Sequence, residues 1–322
     1  MTGILRIEMR RSLLVCLSPL AAAASVALMV NDIHTWRGIW PEGSAHISAP
    51  LLFIGPLMGG VGAWEVRRRC LAGAARGARS GAAPWITPLL IAHLLSGAAV
   101  IATGALCAII ANLASGAPAG FLWPSYVLVA LACLTECIAV GLLLGRLGGP
   151  AWFAPVITVM LLFLRLVITL PGSGDAMRFH FTRLFLSGRA SAVLSPIGVA
   201  LAVLEAGLVV VLAWSVPDLI AHTRAIRTRT AWSRTHRRTV AVGSLSCVVA
   251  GALVLTSPRL TQERRPPKEP VCTSTEFRIC VWPDEAARLP GLTRIAERVP
   301  EQAQALGGVE GDRAGVAGPG RV

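Results

Sequence analysis

Residues 121–145 read FLWPSYVLVALACLTECIAVGLLLG, and this stretch decides the fold class. It contains a single charged side chain, Glu136. About 20 such residues in an α-helix cross the roughly 30 Å hydrocarbon core of a bilayer. The whole chain of 322 residues is 54% hydrophobic and 15% charged, with a mean hydropathy of +0.64. Soluble domains carry roughly 25% charged residues, so the sequence predicts an integral membrane protein.

Six further apolar segments are long enough to cross a membrane, so the sequence predicts seven spans. The fold class is therefore all-α, a polytopic membrane helix bundle. The predicted spans are Ser12–Val30, Ala49–Trp64, Trp85–Leu113, Phe121–Gly145, Trp152–Leu170, Ser191–Trp214 and Val240–Ser257.

Arginine placement predicts how these spans are oriented. Fifteen arginines lie in the N-terminal stretch and in the connections after the second, fourth and sixth spans, against four in the connections after the first, third and fifth. Cytoplasmic connections are the ones enriched in arginine and lysine. The sequence therefore predicts a multi-pass protein of the plasma membrane with a cytoplasmic N-terminus and an extracytoplasmic C-terminus. This topology explains the formal charge of +13, so no nucleic-acid partner is expected.

The segment after the last span carries two cysteines, Cys272 and Cys280, on the predicted oxidising face. Their position and spacing predict a disulfide that closes a small hairpin or loop. A short amphipathic helix is predicted to begin near Pro283. The predicted domains are 1–239 for the six-span membrane domain with its cytoplasmic basic loops, 240–257 for the seventh span, 258–305 for a disulfide-pinned extracytoplasmic cap and 306–322 for a disordered tail.

The sequence lacks the motifs of common catalytic sites. A P-loop needs a lysine between Gly and Ser or Thr, and the only lysine, Lys268, lies between Pro267 and Glu269. The chain has no HExxH zinc motif and no GxSxG nucleophile motif. We therefore expect no catalytic residue, no metal site and no cofactor in this chain, and we do not expect it to be an enzyme.

Three charged residues fall well inside predicted spans, namely Glu136, Arg165 and Glu205. Each is costly in hydrocarbon, so each should face the bundle interior and find a partner. Two interpretations stay open. The three residues are either a structural set that stabilises the bundle or charges that line a substrate path.

The layout of residues 1–215 resembles the membrane subunits of ABC-2 type exporters. It has a basic amphipathic N-terminal stretch, LRIEMRR at 5–11, followed by six spans, with a basic loop of about 20 residues between the second and third spans. Two local stretches are also similar, WRGIWP at 36–41 and FLWPSY at 121–126. The seventh span and the cap depart from a six-helix ABC-2-like core.

The resemblance implies a permease subunit that forms the substrate pathway of an ATP-driven exporter. It implies that 5–11 is an interfacial elbow helix and that 65–84 contains the segment that contacts a separate ATP-binding cassette subunit. It also implies a homodimer or a pair with a sister permease in the lipid bilayer. The alternative function is a non-transporting membrane protein that displays the cap or acts as an assembly partner. The predicted coupling residues are Glu65, Arg67, Arg68, Arg69 and Leu71, although the same loop is also explained as a topology signal.

Overall fold

The structure is a computed structural model of the chain. It describes residues 2–75, 86–116, 120–147, 150–168, 192–226, 261–263, 269–273 and 278–305. The chain divides into two compact units, residues 1–117 with 121–265 and residues 118–120 with 266–322.

The first unit is a helix bundle. Its described helices are α1 (Thr2–Arg11), α2 (Leu13–Asn31), α3 (Ile33–Trp36), α4 (Trp40–His46), α5 (Leu51–Ala75), α6 (Ile86–Ala114), α7 (Pro124–Leu147), α8 (Phe153–Ile168) and α9 (Pro196–Ile226). Strands β1 (Ala192–Leu194) and β2 (Thr261–Glu263) form an antiparallel pair.

Length and composition make this chain a multi-pass membrane protein. Five segments of the described chain are long and apolar enough to cross a membrane, and a sixth apolar helix, Phe153–Leu164, is shorter. This confirms the predicted membrane helix bundle, whereas the count of seven spans stays a prediction. The seventh predicted span, 240–257, lies outside the described residues. The five segments are Leu13–Asn31, Trp40–Gly73, Ile86–Ala114, Pro124–Leu147 and Pro196–Ser215.

Two helices differ in extent from their predicted spans. The second span was predicted to end at Trp64, but α5 continues without a break to Ala75. Of the charged residues that follow Trp64, Glu65 and Arg69 pair with each other within the helix, and Glu65 also bonds to neighbouring helices, as described below. The sixth span was predicted to begin at Ser191, but the helix begins at Pro196 after strand β1. Proline suits a first helical position, because its missing N–H has no intrahelical partner there.

Helices α5 and α7 pack at backbone contact through glycines. A Cβ on Gly141 would overlap the carbonyl oxygen of Gly59, and one on Gly145 would lie 2.6 Å from the carbonyl oxygen of Ala63. The GxxxG motif at 141–145 thus permits the close approach of helices expected of this motif. Helix α5 also packs against α2 and α8, and is therefore surrounded by three of the bundle's helices.

The second unit contains a disulfide-linked hairpin and a helix. Strands β3 (Val271–Cys272) and β4 (Cys280–Val281) pair antiparallel with Cys272 opposite Cys280, and these cysteines form a disulfide. The predicted disulfide is confirmed. A 3₁₀-helix follows at Pro283–Arg288 and continues into α10 (Leu289–Ala305), where the sequence predicted a helix. The predicted disordered tail, 306–322, lies outside the described residues.

Candidate functional site

Helix α5 carries a buried polar cluster near its C-terminal end. Ser12 separates α1 from α2 and is the N-cap of α2, because its hydroxyl accepts a hydrogen bond from the backbone N–H of Val15. His93 lies two turns into α6. The start of α2, the later part of α5 and the start of α6 meet at this end of the bundle, which brings Ser12 and His93 to Glu65 of α5. We call Ser12, Glu65, Arg69 and His93 the polar joint.

Glu65 is at the centre of the polar joint. The Ser12 hydroxyl donates to Glu65 Oε2 at 2.8 Å, and His93 Nε2 lies 3.1 Å from the same oxygen. Arg69 donates from Nη2 to Glu65 Oε1 at 2.6 Å, one helical turn further along α5. The Glu65 and His93 side chains are 1% and 0% exposed. Both carboxylate oxygens are therefore occupied inside the protein, as a buried carboxylate requires.

The charges of the polar joint balance when His93 is neutral. The Glu65 carboxylate is then compensated by the Arg69 guanidinium, and the N–H on His93 Nε2 is shared between Glu65 and the Ser12 hydroxyl, which lies 3.2 Å away. His93 Nδ1 is buried and has no hydrogen-bond partner among the described residues. It faces Gly62 of α5, where an added Cβ would lie 3.6 Å from this nitrogen.

The polar joint contains serine, histidine and an acid, but its geometry is not that of a catalytic triad. A triad places the acid on Nδ1 and the serine on Nε2, so that the imidazole can take the proton of the serine while the acid orients the ring and stabilises its charge. Here Ser12 and Glu65 both contact Nε2. All three side chains are also buried. The arrangement therefore fastens three helices together rather than activating a nucleophile.

The predicted coupling residues divide between two faces of α5. Glu65 and Arg69 face the bundle interior as part of the polar joint. Arg68 and Leu71, three residues apart, are exposed on another face of the helix, and Arg67 is half-buried. We call Arg68 and Leu71 the coupling face. All five residues were predicted together, because the sequence alone does not indicate which of them face the bundle interior.

Two of the three predicted intramembrane charges are buried on neighbouring helices. Glu136 of α7 and Glu205 of α9 are both buried, on two helices that pack against each other. Each makes a polar or electrostatic contact within the chain. Arg165 lies in α8, but its side chain is outside the described residues. Both interpretations of this set, structural pairing and a substrate path, stay predictions.

A second polar contact, between α7 and α9, was not predicted from the sequence. Arg146 Nη1 donates to the carbonyl oxygens of Ala213 at 3.0 Å and Trp214 at 2.9 Å. Residue 217 is proline and has no backbone N–H, so the carbonyl of Ala213, four residues earlier, lacks its usual helical donor. Arg146 supplies that donor. The signal in the sequence was the proline inside an otherwise continuous helix.

The WRGIWP stretch forms a turn whose two tryptophans are buried while Arg37 is exposed. Trp36 ends α3 and Trp40 begins α4, and both side chains are fully buried. The Trp36 indole donates to the carbonyl of Met29 at 3.1 Å. Gly38, between them, has φ of +82°, which favours glycine. Within the described ranges, no three His, Cys, Asp or Glu side chains are grouped so as to hold a metal ion.

The chain matches no known family, no curated protein and no solved structure.

Proposed function

We propose that this protein is the membrane-spanning permease subunit of an ATP-driven exporter, energised by a separate ATP-binding subunit. It forms the substrate pathway with a second copy of itself or with a sister permease. The observation that carries the proposal is the division of helix α5 near its C-terminal end, where the coupling face points outward and the polar joint points inward.

The length of α5 supports contact with a partner outside the membrane. At 1.5 Å per residue, its 25 residues extend about 37 Å. This exceeds the roughly 30 Å hydrocarbon core. The arginines follow the apolar part of the helix, which places them at and beyond the membrane surface. The positive-inside tendency assigns that surface to the cytoplasm, where ATP is available.

The polar joint supports transmission of movement from that surface into the bundle. Each hydrogen bond from Ser12 and from His93 to the charged Glu65 carboxylate contributes about 1.5–3 kcal/mol, several times thermal energy. A displacement of the α5 end would therefore be passed to α2 through Ser12 and to α6 through His93. Backbone contact at Gly141 would pass it on to α7. In this mechanism ATP-driven closure of the partner subunits rocks the bundle between inward-open and outward-open states.

The β1–β2 pairing supports the extracytoplasmic placement of the C-terminal segment. It puts Thr261 beside Leu194, just before the start of α9, whereas α9 ends at Ile226. The helix has 31 residues and is about 46 Å long. Thr261 therefore lies near the end of α9 opposite to Ile226. The positions of Ile226 and Thr261 at opposite ends of α9 support the proposed seventh span at 240–257.

The proposal is tested by affinity purification of the tagged protein from its native host in mild detergent, with mass spectrometry of what co-purifies. We expect a protein with a P-loop to be recovered in a stoichiometric amount. The variant Arg68→Glu should reduce that recovery, because it reverses the charge of the coupling face. Arg37→Glu is the matched control, since it makes the same change at an exposed arginine of the predicted outer face.

Recovery of the ATPase with the unsubstituted protein and with Arg37→Glu, but not with Arg68→Glu, would support both the exporter and the coupling face. Absence of any P-loop protein, under conditions that keep a control transporter intact, would contradict the proposal. The second candidate, a non-transporting protein that displays the disulfide-linked cap, would then be favoured, because that cap belongs to a compact unit of its own.

A further inference from the structure

Helix α9 leaves one apolar face open. Large apolar side chains recur along it at spacings of four and three residues, which places them on a single stripe of the helix. On this stripe Ile197 is 65% exposed and Leu204 is 47% exposed. Among the helices of the described chain, α9 packs mainly against α7, so the stripe is available for contact with a further helix or with lipid. We call it the open face of α9, and it consists of Ile197, Leu201, Leu204, Leu208 and Val211.

The β1–β2 pairing brings the end of the proposed seventh span to the same helix. Thr261 pairs with Leu194, two residues before α9 begins at Pro196. Four residue steps separate Thr261 from the predicted end of the span at Ser257, which is at most about 14 Å of extended chain. Membrane helices tilt by about 20° on average. A span anchored this close to the outer end of α9 therefore crosses the bilayer beside α9.

The distance of each residue from these anchored ends gives its depth in the membrane. At 1.5 Å per residue, Leu204 lies about 12 Å and Leu208 about 18 Å from the start of α9 at Pro196. By the same measure Cys247 lies about 15 Å from the end of the span at Ser257. The depth of Cys247 is therefore between those of the two leucines on the open face.

The sequence of the segment 240–257 suits contact with large side chains. Gly243, Cys247 and Gly251 recur at spacings of four residues, and small residues in a membrane helix permit close approach of a neighbour. We propose that this segment packs as a transmembrane helix on the open face of α9, with its three small residues against the leucines. The inference rests on the seventh span proposed above and does not depend on the exporter function.

The test joins the two helices by a disulfide in membranes that contain the full chain. Leu204→Cys supplies a thiol on the open face, and oxidation with copper phenanthroline should join it to the native Cys247. A protease site inserted in the connection 227–239 then divides the chain into two fragments. Cys247 is the one cysteine of the second fragment outside the Cys272–Cys280 disulfide, so only a bond to Cys247 holds the fragments together on a non-reducing gel.

Two variants serve as matched controls. Leu161→Cys makes the same change in α8, at a leucine that is 46% exposed and eight residues from the start of its helix, as Leu204 is in α9. Cys247→Ser combined with Val249→Cys moves the thiol of the segment by 200° around a helix, away from the small residues. Size-exclusion chromatography verifies that each variant is folded.

We expect the fragments of Leu204→Cys to stay joined at the mass of one chain, and those of both controls to separate. Separation in Leu204→Cys would overturn the proposal, since lipid would then cover the open face. A product with the mass of two chains would also overturn it, because a second copy would cover the face. A protease site placed after Pro270 tests the span itself, and its cleavage from the cytoplasmic side would reject the seventh span rather than the packing alone.

Discussion

Single side chains determine whether the polar joint holds. Glu65 binds Ser12, His93 and Arg69 at once, so each of the three helices that meet there depends on one carboxylate. A hydrogen bond to a charged group contributes about 1.5–3 kcal/mol. The role assigned to the joint therefore predicts that the donor function of each partner matters more than its volume.

Two replacements of His93 separate the contribution of its hydrogen bond to Glu65 from the contribution of its volume. In His93→Gln the side-chain amide can still donate to Glu65, whereas in His93→Leu it cannot. We expect His93→Leu to lower the free energy of unfolding by about 1.5–3 kcal/mol, and His93→Gln to lower it by clearly less. Thermal unfolding in mild detergent measures the difference. Equal losses from the two variants would show that His93 acts only by filling space.

At the scale of elements, the glycine contact between α5 and α7 fixes how closely these helices approach. Gly141→Ala would place a methyl group on the backbone of Gly59 and force the helices apart. We expect a loss of about 1–3 kcal/mol, the usual cost of overpacking.

Gly207→Ala is the matched control for this change. A Cβ there has no neighbour within 4 Å, and the residue lies in the interior of α9. Alanine should therefore stabilise the helix by about 0.5–1 kcal/mol. Unfolding in detergent tests both variants, and a Gly141→Ala protein as stable as the Gly207→Ala protein would contradict the close packing.

The contact of Arg146 with α9 predicts that substitutions of Arg146 and of Pro217 have coupled effects on the free energy of unfolding. Arg146→Leu leaves the carbonyl of Ala213 without a donor, whereas Pro217→Ala restores the backbone N–H that would bond to it. Arg146→Leu should therefore be more destabilising alone than in the Pro217→Ala background. A double-mutant cycle on unfolding free energies measures the coupling. Strict additivity would mean that the two residues act independently.

The apolar spans and the disulfide were predictable because their signals are local. Composition alone locates Leu13–Asn31 and Ile86–Ala114 to within a residue or two, and the cysteine spacing indicates the hairpin. The orientation of α5 was not predictable, because the face that turns inward is chosen by Ser12 and His93, which lie far from Glu65 in sequence. The end of α5 was also not predicted, because two of the groups that bond to the buried Glu65, Ser12 and His93, belong to distant parts of the sequence.

At the scale of the whole molecule, the antiparallel β1–β2 pair predicts on which side of the membrane the C-terminal unit lies. A protease site inserted after Pro270 should be cleaved from outside in cells whose inner membrane is accessible but intact. A matched site inserted between Arg76 and Arg79 should be cleaved only after the membrane is opened. Cleavage of both sites from the same side would contradict the seventh span.

The two faces of α5 are compared most directly by the adjacent variants Arg68→Gln and Arg69→Gln. For each we would measure the melting temperature of the purified protein and the amount of ATP-binding subunit that co-purifies with each folded membrane subunit. Arg68→Gln should reduce the bound subunit and leave the melting temperature unchanged. Arg69→Gln should lower the melting temperature, because it leaves Glu65 uncompensated, and should leave the bound subunit unchanged. Identical behaviour of the two variants would contradict the division of α5 into a coupling face and a polar joint.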